Sequence, residues 1–350
     1  MGDPLGIGPE IIVKSLADSR LREHAVFAVF ASQRVLADAA ASCGIVPFWV
    51  TSPMVDPGPD RLPPPVQRGS VVVVEPSDLA EFDPATGNPR EPSASSGLAS
   101  IACLEAAVTA AKHPTRGLPT ASAIVTAPIS KTAWNLAGLT TYPGHTEFLA
   151  DRFGARRHAM LFHGPALRVI LVTIHIPLAR VPASISTGAV FDAIELGHQA
   201  CRRLAPLRPP HARPARIGVC GINPHAGEDG LLGDEDRLII RPAVEHARST
   251  GIDVHGPLPA DSLFAKAARG EFDLVVAMYH DQGLIPVKLL DRERTVNVTV
   301  GLPRDANDPA GHWLVRTSPA HGTAFDIAGH RKADATSMTA AIEFAIRSIQ

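Results

Sequence analysis

Residues 260–277, with the sequence ADSLFAKAARGEFDLVVA, contain the alternation that decides the fold. A helical pattern over Ala260–Ala268 is followed by the short apolar run Leu274–Ala277. Similar strand-like runs recur at Ala25–Ala31, Val71–Val74, Ala123–Thr126, Leu167–Thr173 and Ile217–Cys220. Helical patterns lie between them at Ser32–Cys43, Leu98–Lys112, Val190–Leu204 and Asp234–Arg248. Strands that alternate with helices predict an α/β protein with a largely parallel sheet.

Length and composition narrow the class of protein. The 350 residues are many for one compact core and suit two lobes around a cleft. Because 33 Lys and Arg nearly balance 35 Asp and Glu, no nucleic acid or anionic membrane is expected as a partner. The four cysteines form no CxxC pair, which indicates reduced thiols and a cytoplasmic protein. No apolar run reaches the ~18–20 residues that span a bilayer, and no secretory signal pattern is present.

The chain opens with a glycine-rich turn that leads into a helix, Met1-Gly2-Asp3-Pro4-Leu5-Gly6-Ile7-Gly8-Pro9-Glu10. Pro9 suits the first position of that helix. As a nucleotide-binding fingerprint the turn is weak, because no strand precedes it in this sequence and no third glycine completes the pattern.

Three histidines follow strand-like runs. His175 ends the run that begins near Leu167, His225 comes after Ile217–Cys220, and His280 comes after Leu274–Tyr279. The carboxyl ends of parallel strands converge on the ligand crevice. Three imidazoles there could bind a divalent ion and leave positions open for substrate oxygens. Their wide spacing forms no local metal motif, so the alternative is that each is a hydrogen-bonded loop histidine.

Other residues suit an anionic ligand. Thr146, in His145-Thr146-Glu147, could cap the helix that follows, and free backbone N–H groups there favour a phosphate or carboxylate. Lys288 and Arg316 suit the same kind of ligand, the arginine by bidentate contact. A simple helix cap and ordinary surface charge are the alternatives for these residues.

Together these segments resemble the 4-hydroxythreonine-4-phosphate dehydrogenase family of pyridoxal phosphate biosynthesis. The matching motifs keep the family's order along nearly the whole chain: Gly2–Glu10, Gly144–Ala150, Asn223–Glu228, Gly256–Asp261, Tyr279–Leu284, Arg316–Ser318 and His321–Gly329. The last of them also resembles the cofactor loop of the isocitrate and isopropylmalate dehydrogenases.

The resemblance implies the isocitrate/isopropylmalate dehydrogenase-like fold, in which two α/β/α lobes surround a central cleft. The first lobe, on the cofactor side, would comprise residues 1–135 and 318–350. The second lobe, carrying the metal, substrate and dimer surfaces, would comprise residues 136–317.

The resemblance also implies a site. One divalent metal (Zn, Co, Mn or Mg) would be bound by His175, His225 and His280. These ligands would be shared between the two subunits of a homodimer. The substrate would contact His145, Thr146, Lys288, Asn297 and Arg316. NAD or NADP would bind without a Rossmann fingerprint, at His321, Gly322, Thr323 and Asp326, where glycine permits close approach.

The implied reaction is metal-dependent oxidation of the C3 hydroxyl of 4-phosphohydroxy-L-threonine. The metal would lower the pKa of that hydroxyl, and the nicotinamide would accept hydride. The 3-oxo acid would then lose CO₂ to give 3-amino-2-oxopropyl phosphate. Lys288 and Asp281 are the candidate proton acceptors, by position.

Two departures from the family pattern raise expectations of their own. The family has a strand before the glycine turn, so its absence here would leave a gap in the first lobe. Arg304–Trp313 reads as an insertion that could shift Arg316 or lie over the cleft as a lid.

Three alternative functions remain at this stage. Related dehydrogenases act on 4-phospho-D-threonate or 4-phospho-D-erythronate, and others act on cis-diol dicarboxylates, which the cationic residues suit less well. The remaining alternative is a non-catalytic protein that binds a metal or a phosphorylated ligand.

Overall fold

The structure, a computed structural model, describes residues 1–53, 66–79, 82–84, 90–114, 118–208, 213–304 and 312–349. The chain forms two compact units. Unit 1 comprises Met1–Gly154 and Pro303–Ile346, and unit 2 comprises Ala155–Leu302 and Arg347–Gln350.

Unit 1 contains two sets of parallel strands. One has the order β1 (Phe27–Phe30), β3 (Val71–Glu75) and β2 (Val50–Pro53). In the other, β4 (Ala123–Val125) pairs with β11 (Val315–Pro319). The helices are α1 (Gly8–Ala17), α2 (Ser19–Arg22), α3 (Gln33–Cys43), α4 (Ala94–Lys112), α5 (Lys131–Leu136), α6 (His145–Arg152) and most of α12 (Thr336–Ile349).

Unit 2 has the strand order β10 (Val296–Val300), β5 (Ala159–His163), β6 (Arg168–Leu171), β9 (Leu274–Ala277), β7 (Ile217–Cys220) and β8 (Val254–Leu258). Strands β6, β9, β7 and β8 are parallel, whereas β5 is antiparallel to both of its neighbours. The helices are α7 (Val181–Ser184), α8 (Thr187–Arg203), α9 (Arg241–Ser249), α10 (Ala260–Ala268) and α11 (His280–Asp291). All residues of β7 and β9 are buried, which suits parallel strands covered on both faces.

The predicted α/β class is confirmed, and each predicted strand segment contains an observed strand. The helix predicted at Asp234–Arg248 begins differently, as a π-helical turn over Asp236–Ile240 that continues into α9. Strands β2, β5, β8, β10 and β11 were not predicted, nor was the antiparallel pairing of β5 with β6.

Helix α4 is long and apolar enough to cross a membrane, and it is the one such helix among the described residues. Its apolar window is, however, 56% buried. Buried residues of α4 such as Cys103 and Ala106 pack with Val72 of β3, and the indole N–H of Trp134 donates to Ser100 Oγ at 2.7 Å. These contacts are those of a core helix.

The ends of the predicted insertion Arg304–Trp313 lie close together, although residues 305–311 are outside the described part of the chain. The backbone N–H of Arg304 donates to the carbonyl of His312 at 2.8 Å, and Pro303 forms an antiparallel bridge with Trp313. The segment therefore leaves and rejoins unit 1 at one point. Strand β11 keeps its parallel register, with Arg316 opposite Ile124 of β4.

Candidate functional site

The three predicted metal-binding histidines follow neighbouring strands of unit 2. His175 comes after β6, His280 begins α11 after β9, and His225 follows β7. The rings of His175 and His280 lie side by side, with centroids 5.7 Å apart and planes inclined by 42°. Within one copy of the chain, the described residues form no group of three or more metal-ligating side chains. One chain therefore brings two of the three imidazoles together.

The orientation of His280 depends on the residues after it. Its Nδ1 lies 2.6 Å from Asp281 Oδ1, so a proton on Nδ1 leaves Nε2 as a metal ligand. The Gln282 amide accepts from the Met278 N–H at 2.7 Å and donates to the Gly221 carbonyl at 2.8 Å. Gln282 thus ties the start of α11 to the end of β7. Sequence analysis did not identify this role.

His225 is exposed in a left-handed turn. Five consecutive residues from His225 to Asp229 have φ between 45° and 80°, and only Gly227 among them adopts such angles without a cost of roughly 1–2 kcal/mol. The buried Asp236 carboxylate accepts from the backbone N–H groups of Ile222 and Asn223, at 2.9 and 3.1 Å. These bonds hold the residues that lead into the turn.

Lys288 and Asn297 also lie in unit 2. Lys288 is half-buried on α11, and burial, followed by the charge of Arg292, lowers its pKa. Asn297 lies on β10 opposite Phe162. Its Oδ1 is buried and has no hydrogen-bond partner among the described residues. An orphaned buried acceptor of this kind suits a ligand that donates a hydrogen bond.

Unit 1 brings His145, Thr146 and Arg316 into one group. Arg316 is buried on β11, and its guanidinium donates to Thr126 Oγ1 at 2.8 Å. Burial lowers the pKa of Arg316 to about 10, an effect that the charge of Glu147 opposes. His145 keeps some exposed surface, but burial and then the charge of Arg316 lower its pKa well below the usual 6.5. A cation and a neutral imidazole are therefore adjacent, and the cation suits an anionic ligand.

Thr146 does not cap its helix, contrary to one of the two predictions for it. Helix α6 begins at His145, the preceding cap position is Gly144, and no side chain caps it. Thr146 is buried in the first turn instead.

Trp134 is a further residue of this group that sequence analysis missed. Its ring meets that of His145 edge to face, with centroids 5.6 Å apart, and it also contacts Phe148. Because the indole is fixed by Ser100, Trp134 holds the imidazole of His145 in place.

The predicted cofactor segment is a surface turn of unit 1. Ala328 is buried and packs with Ile7 and Ile11 in one apolar cluster. Gly322 and Asp326 are exposed, and His321 and Thr323 are partly exposed. A Cβ at Gly322 would meet no atom within 4 Å, so packing within the chain does not require glycine there. The open space beside Gly322 would let a ligand approach the backbone there.

The sequence of the chain matches one protein family over most of its length. Residues 23–345 match the family model described as pyridoxal phosphate biosynthetic protein PdxA. The chain is 42% identical to the 4-hydroxythreonine-4-phosphate dehydrogenase of Desulfosudis oleivorans, over 99% of this chain and 94% of the relative. It is 44% identical to the D-threonate 4-phosphate dehydrogenase of Cupriavidus necator, over 98% and 93%.

A solved structure agrees with these matches. The crystal structure of 4-hydroxythreonine-4-phosphate dehydrogenase from Klebsiella pneumoniae superposes with a TM-score of 0.78. The two chains are 38% identical, and the match covers 100% of this chain and 96% of the other.

Proposed function

We propose that this chain, which belongs to the PdxA family of pyridoxal phosphate biosynthetic proteins, oxidises the C3 hydroxyl of 4-phosphohydroxy-L-threonine, using a divalent metal and NAD or NADP. The product, a 3-oxo acid, would lose CO₂ and give 3-amino-2-oxopropyl phosphate. The free cysteines, three of them buried, support a location in the reducing cytoplasm.

The observation that carries the proposal is the group that buried Arg316 and Thr126 form with the partly exposed His145 in unit 1. The fork of a guanidinium matches a phosphate or carboxylate, and such charge-assisted contacts are strong. Thr126 engages one nitrogen at 2.8 Å. Thr146, buried beside His145 at the start of α6, adds a hydroxyl at the first turn of that helix, which no side chain caps.

The residues of unit 2 fit a divalent metal. The adjacent rings of His175 and His280 supply two imidazoles, and the Nδ1 contact of His280 with Asp281 favours the tautomer that can coordinate. At least one further ligand would come from a second copy of the chain, with His225 as the third imidazole. Imidazole ligands suit Zn and Co, and Mn or Mg would accept them with substrate oxygens.

A homodimer is therefore part of the proposal. Large apolar side chains are exposed on several elements of unit 2: Leu178, Leu231, Leu238, Ile285 and Leu289. Leu231 follows the His225 turn, and Ile285 and Leu289 lie on α11 after His280. A second copy that covers them would bring its own histidines close to this site.

The proposed mechanism divides the work among named residues. When bound, the metal would stabilise negative charge on oxygen and the nicotinamide would accept hydride. Lys288 is the proposed proton acceptor, because its lowered pKa makes the neutral amine more available. Asp281, placed by sequence analysis as an alternative, contacts His280 and is better suited to orienting it. Asn297 Oδ1 would accept a hydrogen bond from the substrate.

The cofactor would lie on the exposed turn of unit 1, at His321, Gly322, Thr323 and Asp326. The open space around Gly322 would let the cofactor approach the backbone. The glycine turn at the N-terminus is not needed as a phosphate loop in this arrangement.

A second candidate substrate is 4-phospho-D-threonate, with 4-phospho-D-erythronate as its close analogue. The 44% identity to a D-threonate 4-phosphate dehydrogenase favours it as much as 42% favours the first substrate. The two substrates share the phosphate and differ at C2, which none of the residues above distinguishes.

A comparison of turnover decides between these functions. The purified enzyme, reloaded in turn with each metal, is assayed for NADH and NADPH formation with 4-phosphohydroxy-L-threonine and 4-phospho-D-threonate. We expect the higher kcat/KM with the first substrate. A higher value with the second would replace the first choice, and metal binding without turnover on either would favour a non-catalytic binding protein.

A further inference from the structure

The backbone N–H groups of the N-terminal glycine turn are already used within unit 1. The N–H of Asp3 donates to the Pro128 carbonyl at 2.9 Å, and that of Gly6 donates to the Asp3 carbonyl at 3.2 Å. The N–H of Leu5 donates to the carboxylate of Asp3 at 3.0 Å. The other oxygen of this buried carboxylate accepts from Ser96. These amides are not available to a phosphate group, so the turn must serve another purpose.

The turn contacts the cofactor segment directly. The N–H of Ile7 donates to the Thr323 carbonyl at 2.9 Å. A Cβ on Gly6 would lie 2.9 Å from that carbonyl oxygen and 3.0 Å from the Cβ of Thr323. Glycine is therefore required at position 6 for the two segments to approach this closely.

Helix α1 contacts the chain just after the cofactor segment, at Arg331 and Ala333. The Lys14 ammonium donates to the carbonyls of Arg331 and Ala333, at 3.1 and 2.7 Å. It also pairs with the buried Glu10 carboxylate at 2.6 Å. Oxygen Oε1 of Glu10 in turn accepts from the N–H of Ala333 at 3.2 Å. Residues 321–333 are thus held at both ends by the turn and helix α1. The four residues that make these contacts are Gly6, Ile7, Glu10 and Lys14.

We propose that Glu10 and Lys14 are positioning residues for the nicotinamide cofactor, and that the glycine turn with α1 forms the platform on which segment 321–333 is held in its binding conformation. This inference rests on the proposed function, because it takes the segment to be the cofactor site. A surface turn that is held at both ends loses less conformational freedom when a ligand binds, so the platform favours cofactor affinity.

The test measures cofactor binding separately from chemistry. NADH and, in parallel, NADPH are titrated into the full-length protein and its variants. In K14M, we expect the Kd of the preferred cofactor to rise about tenfold, since both carbonyl contacts of a charged donor are lost. The KM for the phosphorylated substrate and kcat at saturating cofactor should stay within about twofold of the wild type, because no substrate contact changes.

Three further variants separate positioning from general damage. K14R keeps a cationic donor and should restore affinity, and K266M removes an exposed lysine of α10, outside segment 321–333, and should have no effect. E10Q/K14M leaves no buried carboxylate without its cation, so it should fold even if K14M does not, with the same loss of affinity. G6A should weaken binding independently, through Thr323.

The outcomes are distinguishable. Wild-type affinity in folded K14M, E10Q/K14M and G6A would overturn the inference while leaving the proposed function intact. A wild-type protein that binds neither NADH nor NADPH would overturn the proposed function and this inference with it.

Discussion

Replacing Arg316 with Met should leave the protein about as stable as the wild type and yet a much poorer enzyme. In the folded chain, burial lowers the pKa of the guanidinium to about 10. At 1.36 kcal/mol per pKa unit, the charged form costs the fold about 3 kcal/mol. The sign follows from the lowered pKa of a base: the cost is fully present at every pH below about 10 and falls as the pH rises above that value.

The variant removes this cost along with the hydrogen bonds of the guanidinium, of which the bond to Thr126 contributes about 1 kcal/mol. The removed cost and the lost bonds oppose each other, so the unfolding free energy of R316M should stay within about 2 kcal/mol of the wild type. The substrate loses a charge-assisted contact worth about 1.5–3 kcal/mol, so its KM should rise by roughly 10- to 150-fold. R316K restores the charge without the planar fork and should recover only part of the loss.

The assay combines denaturant unfolding at neutral pH with steady-state kinetics on the phosphorylated substrate. R34M is the matched control, because Arg34 pairs with Asp83 on the surface at 3.1 Å and should affect neither measurement. If R316M is strongly destabilised, or if its KM stays within about threefold of the wild type, Arg316 is a structural residue and the reasoning fails.

Three further predictions concern unit 2. K288A should keep its metal, measured by elemental analysis, but lose turnover. It should also lose the rise in rate that we expect of the wild type as pH increases through the lowered pKa of Lys288; loss of metal would contradict this role. H225A should lose metal and turnover while remaining folded, and a fully metallated variant would remove His225 from the ligand set. Burial lowers the pKa of His163 to about 4, so its contribution to stability falls as pH drops from 6.5 towards 4, by up to about 3 kcal/mol. H163F should therefore show a flatter pH dependence of the unfolding free energy. A profile equal to that of the wild type would assign the loss of stability to other groups.

The sequence predicted the architecture best where burial dominates. Helix α10 occupies the predicted range Ala260–Ala268, and β7 and β9 coincide with uninterrupted apolar runs. Two of the missed strands carry residues that obscure such a pattern. Strand β8 contains Gly256-Pro257, which argues against a strand, and β11 contains Arg316, Thr317 and Ser318. Arg316 is proposed for the site, so its proposed function is one reason that the strand signal of β11 is weak.

One rule predicted which residues of the candidate site lie together: the carboxyl ends of parallel strands meet at a common edge of the sheet. That rule placed His175 and His280 near each other, and their rings are indeed adjacent. It gave no indication of Gln282 or Trp134, because their roles arise from side-chain contacts with Gly221 and His145 that the ends of strands do not predict. Such contacts depend on packing geometry, which local composition does not encode.

The role of the glycine turn could not be predicted from the sequence for the same reason: it depends on contacts with residues elsewhere in the chain. A glycine-rich turn followed by a helix suggests a phosphate loop. Whether it can bind phosphate depends on whether its backbone N–H groups are already hydrogen-bonded, and only the fold shows those bonds. Here the Ile7 amide is bonded to Thr323 and the Asp3 amide to Pro128. Gly6 is required by its close contact with Thr323, so the motif supports a segment about three hundred residues away along the chain, which is the segment proposed for the cofactor.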